Sequence, residues 1–74
     1  MKIAIEYCKQ WNYEPRASSL GEELKKELGQ EIQVELIAGS NGVFEISADG
    51  RLVFSKKQLG RFPEDGEIVK LLSW

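Results

Sequence analysis

The sequence has no histidine and only one cysteine, Cys8, and these two shortages exclude much of the chemistry open to a small protein. Without histidine there is no Ser-His or Cys-His pair, no imidazole general base and none of the usual zinc ligand sets. With a single thiol no disulfide forms within the chain, which excludes a disulfide-stapled secreted scaffold. We predict no metal site, and Cys8 is the only candidate reactive group.

The sequence also lacks an excess of positive charge and a long apolar run. Ten basic against 12 acidic side chains give a net charge of −2 and a pI near 5.1. Nucleic acid is not an expected partner, because binding to a phosphate backbone needs clustered positive charge. No stretch approaches the ~20 apolar residues that span a bilayer, and the N-terminus lacks the apolar core of a signal peptide. We therefore predict a cytoplasmic protein with no membrane partner and one domain, residues 1–74.

The first half of the chain predicts a strand, a helix and a second strand. Residues 2–7 and 32–38 alternate apolar and polar side chains, as strands do. Between them, apolar residues recur at helical spacing at Ala17, Leu20, Leu24 and Leu28. Asn12 is the predicted N-cap of this helix, Pro15 lies in its first turn and Gly29 ends it. A helix between two strands implies a right-handed crossover, so the two strands are predicted to be parallel.

The next segment predicts a hairpin on Asp49-Gly50, since Asp-Gly between two apolar runs is a strong signal for a two-residue turn. Such a turn would place Ile46 opposite Val53 and Ser47 opposite Leu52.

The last segment predicts a loop over residues 57–67 and then a helix. Pro63 is expected near the first turn of this helix, where acidic residues favour its positive end. Its buried stripe is predicted to be Ile68, Leu71 and Leu72. Trp74, at the end of the chain, is expected to dock on the core.

The predicted order is β-α-β-β-β-α, an α/β fold with a four-stranded mixed sheet. The first two strands are parallel, the hairpin is antiparallel and both helices cover one face. The other face has no helix over it, so it is a candidate surface for a partner protein or for a homodimer with a second copy of the chain.

Four segments of the chain, in this order, resemble a known family. They are "YCKQWNYEPRA", "GVFEI", "DGRLVFSKK" and "GRFPE". Together they resemble the selenoprotein W-like proteins of the SelT/SelW/SelH group, the Rdx type. The resemblance implies a thioredoxin-like βαβββα fold with a Cys-x-x-Sec or Cys-x-x-Cys motif in the loop between the first strand and the first helix. It also implies thiol chemistry, often connected with glutathione or peroxide.

Carried over to this chain, Cys8 matches the first position of the redox motif and Trp11 matches the second. Tyr13 and Pro15 match the residues that follow. Because tryptophan forms no disulfide, dithiol cycling within the chain is excluded, and at most a monothiol oxidoreductase remains. Cys8 lies just ahead of a helix, whose positive end favours a thiolate. That thiolate would form mixed disulfides with glutathione or a protein thiol, and no bound cofactor is predicted.

Other interpretations of the same residues stay open. Cys8 can also be a small buried residue that serves packing alone. The chain would then be a non-catalytic interaction module that retains the thioredoxin-like fold. Trp11 either offers a docking surface beside the thiol or packs over it and shields it. In "GRFP", Phe62 is expected to anchor the last helix near the redox loop, and Arg61 and Phe62 are candidate contacts for a partner.

Overall fold

Seven elements form in the computed structural model, which describes residues 1–29 and 31–72. They are β1 (Lys2–Cys8), α1 (Glu14–Leu28), β2 (Gln33–Gly39), β3 (Phe44–Ala48), β4 (Arg51–Ser55), α2 (Lys56–Leu59) and α3 (Glu67–Leu72). The β-α-β-β-β-α order is confirmed, with a short extra helix, α2, after the hairpin. The predicted docking of Trp74 lies outside the described residues.

The four strands form one mixed sheet in the order β2-β1-β3-β4. β1 pairs in parallel with β2 and antiparallel with β3, and β3 pairs antiparallel with β4. The turn between β3 and β4 has positive φ at both central residues, 51° at Asp49 and 82° at Gly50, as type I′ turns require. The predicted four-stranded mixed sheet, with parallel first strands and an antiparallel hairpin, is thereby confirmed.

The register of the hairpin differs from the prediction at one position. Ser47 pairs with Leu52 as expected, but Ile46 pairs with Phe54 and not with Val53, because a bulge lies between Ile46 and Ser47 in the ladder. The extra residue in β4 shifts the side chains that follow it to the opposite face. Phe54 is therefore buried beside Ile46, and the predicted Ile46–Val53 pair was wrong.

The core lies between one face of the sheet and the helices. Its buried side chains come from every second position of the strands and from one stripe of each long helix: Ile3, Ile5, Tyr7, Phe44, Ile46, Phe54, Ala17, Leu24 and Ile68. A large apolar side chain buried in this way stabilises the fold by roughly 1.5–3 kcal/mol. Gly21 lets α1 approach the sheet closely, since a Cβ there would lie 3.1 Å from Cγ1 of Val34.

The predicted start of each helix needed correction, whereas the first helix ends at Gly29 as predicted. The residue that caps α1 is Tyr13, without a side-chain cap, and Asn12 has φ 58° in the turn before it. Asn12 is therefore used as a left-handed turn residue, a conformation that asparagine tolerates better than most residues, and not as the predicted N-cap. α3 begins only at Glu67, because Gly66 has φ 79° and interrupts the helical backbone after Pro63.

Two further details of the last third of the chain differ from the prediction. Leu71 is exposed rather than buried, while Ile68 is buried and Leu72 packs against the core. Residues 56–59 form α2 within the predicted loop, because the Ser55 hydroxyl accepts a hydrogen bond from the Gln58 N–H at 3.1 Å. Ser-x-x-Gln is the capping-box pattern, so the sequence carried a signal for this helix.

Candidate functional site

The loop of residues 9–13 connects the end of β1 to the start of α1 and carries the predicted redox motif. Two backbone hydrogen bonds close it: the Asn12 N–H donates to the Lys9 carbonyl and the Tyr13 N–H donates to the Cys8 carbonyl, both at 3.1 Å. The left-handed Asn12 lets the chain reverse within these few residues. The first residue of α1 thus follows directly after the turn.

Cys8 is the last residue of β1 and is completely buried, with 0% of its surface exposed. Its N–H donates to the Val43 carbonyl at 2.9 Å, and it lies in register with Gly39 of β2. The N–H of the next residue, Lys9, donates to the Gly39 carbonyl at 3.2 Å. Backbone from both neighbouring segments therefore holds this end of β1, and a reagent reaches the thiol only after local movement.

Trp11, at the second position of the motif, is 60% exposed. One edge of its ring lies against the turn after β2, where a Cβ on Gly42 would be 2.6 Å from the ring. Gly42 has φ 72°, so glycine is suited to this position both by backbone conformation and by space. The indole thus bridges the redox loop and the turn at residues 40–42 while most of its surface faces solvent.

A chain of edge-to-face aromatic contacts leads from the redox loop into the core. The ring centroids of Trp11 and Tyr13 are 6.0 Å apart, those of Tyr13 and Phe62 are 4.8 Å apart, and those of Phe62 and Phe44 are 5.3 Å apart. Contacts of this geometry are favourable beyond the area they bury. They place the "GRFP" segment next to the redox loop, as the sequence predicted.

Two cations that the sequence did not single out lie over these rings. The Arg16 guanidinium is 4.1 Å from the Phe62 centroid, and the Lys56 ammonium is 5.3 Å from Phe62 and 5.7 Å from Tyr13. These are cation–π distances. Arg16 directly follows the motif residue Pro15, which was the only sequence signal for it.

The side chain of Arg61, predicted as a candidate contact for a partner protein, is hydrogen-bonded within the chain. Its guanidinium donates two hydrogen bonds to the Glu67 carboxylate, at 2.8 and 3.0 Å, and a third to the Phe62 carbonyl at 3.1 Å. The hydrogen bonds from Arg61 and from the Glu64 N–H lower the pKa of Glu67 to about 2 from 4.5. Arg61 thus fastens the segment before α3 to that helix.

A second polar contact ties the start of α1 to β1. The Tyr7 hydroxyl lies 3.5 Å from the Glu14 carboxylate. Burial of the phenol, and then the neighbouring Glu14 charge, raise the pKa of Tyr7 above its ordinary value of 10.0. The Tyr7 hydroxyl therefore stays a neutral hydrogen-bond donor. Tyr7 directly precedes Cys8 in the sequence.

A groove of about 450 Å³ runs between the first half of α1 and residues 62–65. Its lining includes the apolar side chains of Leu20, Phe44 and Phe62 and the charged side chain of Arg16. Of the predicted site residues, the groove takes in Pro15 and Phe62, whereas Cys8, Trp11 and Arg61 lie outside its lining. The structure thus gathers Cys8, Trp11 and Tyr13 in one loop, joins that loop to Phe62 and directs Arg61 to α3.

Two curated proteins are similar to the chain over part of their length. Migration and invasion enhancer 1 of Mus musculus is 36% identical over 70 residues, which is 95% of this chain and 60% of that protein. A SelT-like protein of Arabidopsis thaliana is 53% identical over 34 residues, 46% of this chain and 16% of that protein. The chain therefore spans less than two thirds of the length of these relatives.

Two solved structures have the same architecture. A selenoprotein W-related protein from Vibrio cholerae superposes with a TM-score of 0.89 at 35% identity, covering 96% of this chain and 90% of that one. A protein from Bordetella parapertussis superposes with a TM-score of 0.91 at 32% identity, covering 96% and 91%. Residues 2–73 match the Rdx family. The resemblance inferred from four short segments is thereby confirmed, and the chain belongs to the Rdx family of selenoprotein W-like, thioredoxin-like proteins.

Proposed function

We propose that this Rdx-family domain acts as a protected monothiol, in which Cys8 forms mixed disulfides with glutathione or with a cysteine of a partner protein. The family is a redox-associated, selenoprotein-like group. The observation that carries the proposal is the position of Cys8, which ends β1 and lies directly before the turn into α1, where the motif of the family begins. It is also the only thiol in the sequence.

The chemical step needs a disulfide from outside the chain. The Cys8 thiolate attacks one sulfur of glutathione disulfide or of a protein disulfide, a new S–S bond forms, and the old S–S bond breaks. The leaving thiolate takes up the proton that Cys8 lost. An outside thiol later attacks the glutathione or partner sulfur of the mixed disulfide and forms a new disulfide with it, so that Cys8 leaves as a thiolate and takes up a proton. Cysteine chemistry of this kind needs no second cysteine within the domain.

Because Cys8 is buried, the reaction requires a conformational change first. Because the thiol has no exposed surface, the structure around it must open locally before a disulfide reaches it. We infer that the loop of residues 9–13, which directly follows Cys8, is the part that moves. The loop is closed by the two backbone hydrogen bonds described above and by the contact of Trp11 with Gly42. The reaction rate of Cys8 is then the rate of an exposed thiol multiplied by the fraction of time the loop is open.

The same burial favours a second candidate function, a non-catalytic interaction module. In that case the partner binds the exposed ring of Trp11 together with Tyr13 and Phe62, and Cys8 is a packing residue. Exposed aromatic rings flanked by an arginine are typical of binding surfaces. The membrane is not an expected partner of this surface, and no helix of residues 1–29 and 31–72 is long and apolar enough to cross one.

Alkylation kinetics separate the two functions. We would measure the rate of Cys8 modification by iodoacetamide in the native protein, in the Trp11→Ala variant and in urea, with Leu59→Ala as a control, since Leu59 is exposed and lies outside the loop. A protected monothiol predicts slow but measurable native modification, a several-fold faster rate in Trp11→Ala and an unchanged rate in Leu59→Ala. Incubation with glutathione disulfide should then add one glutathionyl group to the native protein.

The interaction module predicts a different pattern. Cys8 would react only at the rate of global unfolding, all three folded proteins would show the same rate at equal stability, and no glutathione adduct would form below the unfolding transition. That outcome would remove the monothiol proposal and leave the aromatic surface as the functional site.

A further inference from the structure

The outer edge of β2 has the features of a strand that pairs with another strand. β2 is the first strand in the sheet order, and among the described residues no strand lies on its outer side. It is seven residues long, about 23 Å, and pairs with β1 along its whole length without a register shift. Its sequence, QVELIAG, holds no proline and no lysine. Soluble proteins usually protect such an edge with proline, lysine, a bulge or short length.

The direction of the free backbone groups follows from two hydrogen bonds. The Gln33 N–H donates to the Met1 carbonyl at 3.0 Å, and the Gly39 carbonyl accepts from the Lys9 N–H at 3.2 Å. Both residues therefore direct their backbone groups toward β1. Since this direction alternates along a strand, Val34, Leu36 and Ala38 direct their N–H and C=O groups outward.

These outward residues are symmetric about Leu36. If a second β2 lies antiparallel alongside with a two-fold axis at Leu36, that residue faces its own copy, and Val34 faces Ala38 of the other chain. Each of these pairs exchanges both of its backbone hydrogen bonds. The strand is thus complementary to itself in one register, which is the requirement of an isologous interface.

The side chains suit the same register on both faces of the sheet. On the helix-covered face the pairs are Leu36 with Leu36 and Val34 with Ala38, all apolar, and Leu36 is 38% exposed in the single chain. On the open face Glu35 would lie opposite Ile37, which is 40% exposed, so the two Glu35 carboxylates do not oppose each other directly. The pairing therefore covers exposed apolar surface without placing like charges in register.

The open face of the sheet is a poorer interface between copies. It carries Glu6, Glu35 and Glu45 on three neighbouring strands, with Lys2 beside Glu35. Two such acidic faces would repel each other. The edge, and not the face, is where a second copy fits.

We propose that two copies of this chain associate through their β2 edges, antiparallel about Leu36, to form one continuous eight-stranded sheet. The contact area of an edge pair is small, so the association is weak and depends on concentration. Because the proposal concerns only β2, it does not depend on the chemistry of Cys8.

A cysteine placed on the proposed two-fold axis tests both that the partner is a second copy of the chain and that the register is the one proposed. In a Cys8→Ala background, Leu36→Cys places two thiols across the two-fold axis, where hydrogen-bonded antiparallel residues have Cα atoms ~5.5 Å apart, within the range of a disulfide. We expect Leu36→Cys to give a covalent dimer of twice 8.4 kDa on mild oxidation at high micromolar concentration. Leu52→Cys, on β4 and even more exposed than Leu36, is the control and should remain largely monomeric.

Sedimentation of the unmodified chain completes the test. We expect its average mass to rise with concentration, and Leu36→Lys, which would place two ammonium groups opposite each other, to abolish the rise while Leu52→Lys leaves it unchanged. A mass of one chain at all concentrations up to about 1 mM would overturn the proposal. So would equal cross-linking of the two cysteine variants, or loss of association in Leu52→Lys but not in Leu36→Lys, which would assign the contact to the open face.

Discussion

Trp11 stands at the position where the resemblance predicts selenocysteine or cysteine, and a cysteine introduced there tests whether the loop can form a dithiol site. In Trp11→Cys the turn of residues 8–13 holds two cysteines in a Cys-x-x-Cys spacing, and the Tyr13 N–H to Cys8 carbonyl bond keeps the ends of the turn together. We expect oxidised dithiothreitol to convert both thiols to one intramolecular disulfide, with release of reduced dithiothreitol. Thiol titration in urea should fall from two per chain to none.

The control for this prediction is Trp11→Ser, which keeps one thiol and should show no loss under the same conditions. Two free thiols in oxidised Trp11→Cys, or intermolecular disulfides in their place, would show that the loop has lost the geometry of a dithiol site. The codon for residue 11 gives an independent check. TGG specifies tryptophan, whereas TGA, which is read as selenocysteine in genes of selenoproteins, would give the residue that the resemblance implies at this position.

The contact between Trp11 and Gly42 gives a second prediction for single residues. Gly42→Ala and Gly50→Ala both place a side chain at positive φ, 72° and 82°, so both should destabilise the fold by on the order of 1 kcal/mol. Only at Gly42 would the new Cβ meet the Trp11 ring, at 2.6 Å, whereas nothing lies within 4 Å at Gly50. The exposed ring should swing away from the turn in Gly42→Ala alone.

The NMR signal of the Trp11 indole N–H reports this movement. It should shift strongly in Gly42→Ala and stay in place in Gly50→Ala, and urea midpoints should fall by similar amounts in both. A Trp11 signal that does not move in Gly42→Ala would mean that the turn, and not the ring, gives way.

The stability that the contact between residues 61–66 and α3 contributes should depend on pH in a defined direction. The folded state holds the pKa of Glu67 at about 2, below its ordinary 4.5, chiefly through the hydrogen bond from Arg61. A carboxyl whose pKa is lower in the folded state contributes stability above its unfolded pKa and loses it as the pH falls from about 4.5 to about 2. The pair is partly exposed, so the contribution is moderate and is screened by salt.

The measurement is the difference in urea midpoint between the natural chain and Arg61→Gln. It should be largest near pH 7, shrink through the acid range and approach zero near pH 2. Lys57→Gln, which removes a charge from α2 without touching Glu67, should show no such pH dependence of its difference. A constant Arg61→Gln difference between pH 7 and pH 3 would contradict the assigned role of the Glu67 carboxylate.

For the whole molecule, the sequence predicted the order and pairing of the strands but not which side chains are exposed to solvent. Alternation of apolar residues and the Asp49-Gly50 turn led to the right strands and the right topology, because these signals are local. The Ile46–Phe54 pairing was missed, because the alternation of apolar residues does not show where a bulge adds a residue to one strand. Likewise the motif located Cys8 but did not predict its complete burial. The residues that accept backbone hydrogen bonds at this end of β1, Val43 and Gly39, are distant in sequence.

The charge distribution on the open face of the sheet gives a final prediction for the whole molecule. Glu6 and Glu45 lie directly opposite each other on β1 and β3, and Glu45 is held there by hydrogen bonds from the Ser55 hydroxyl and the Lys57 N–H. Like charges in direct register destabilise a sheet. Glu6→Gln should therefore stabilise the protein by roughly 0.3 kcal/mol, a value typical of such pairs.

Glu35→Gln is the matched control on the same face. The Glu35 carboxylate lies 3.9 Å from the Lys2 ammonium, so its removal should leave stability unchanged or slightly lower. Urea unfolding at low and high salt distinguishes repulsion from other effects, because screening should remove the gain of Glu6→Gln at high salt. An equal gain in both variants would point to a general excess of negative charge in place of the Glu6–Glu45 pair.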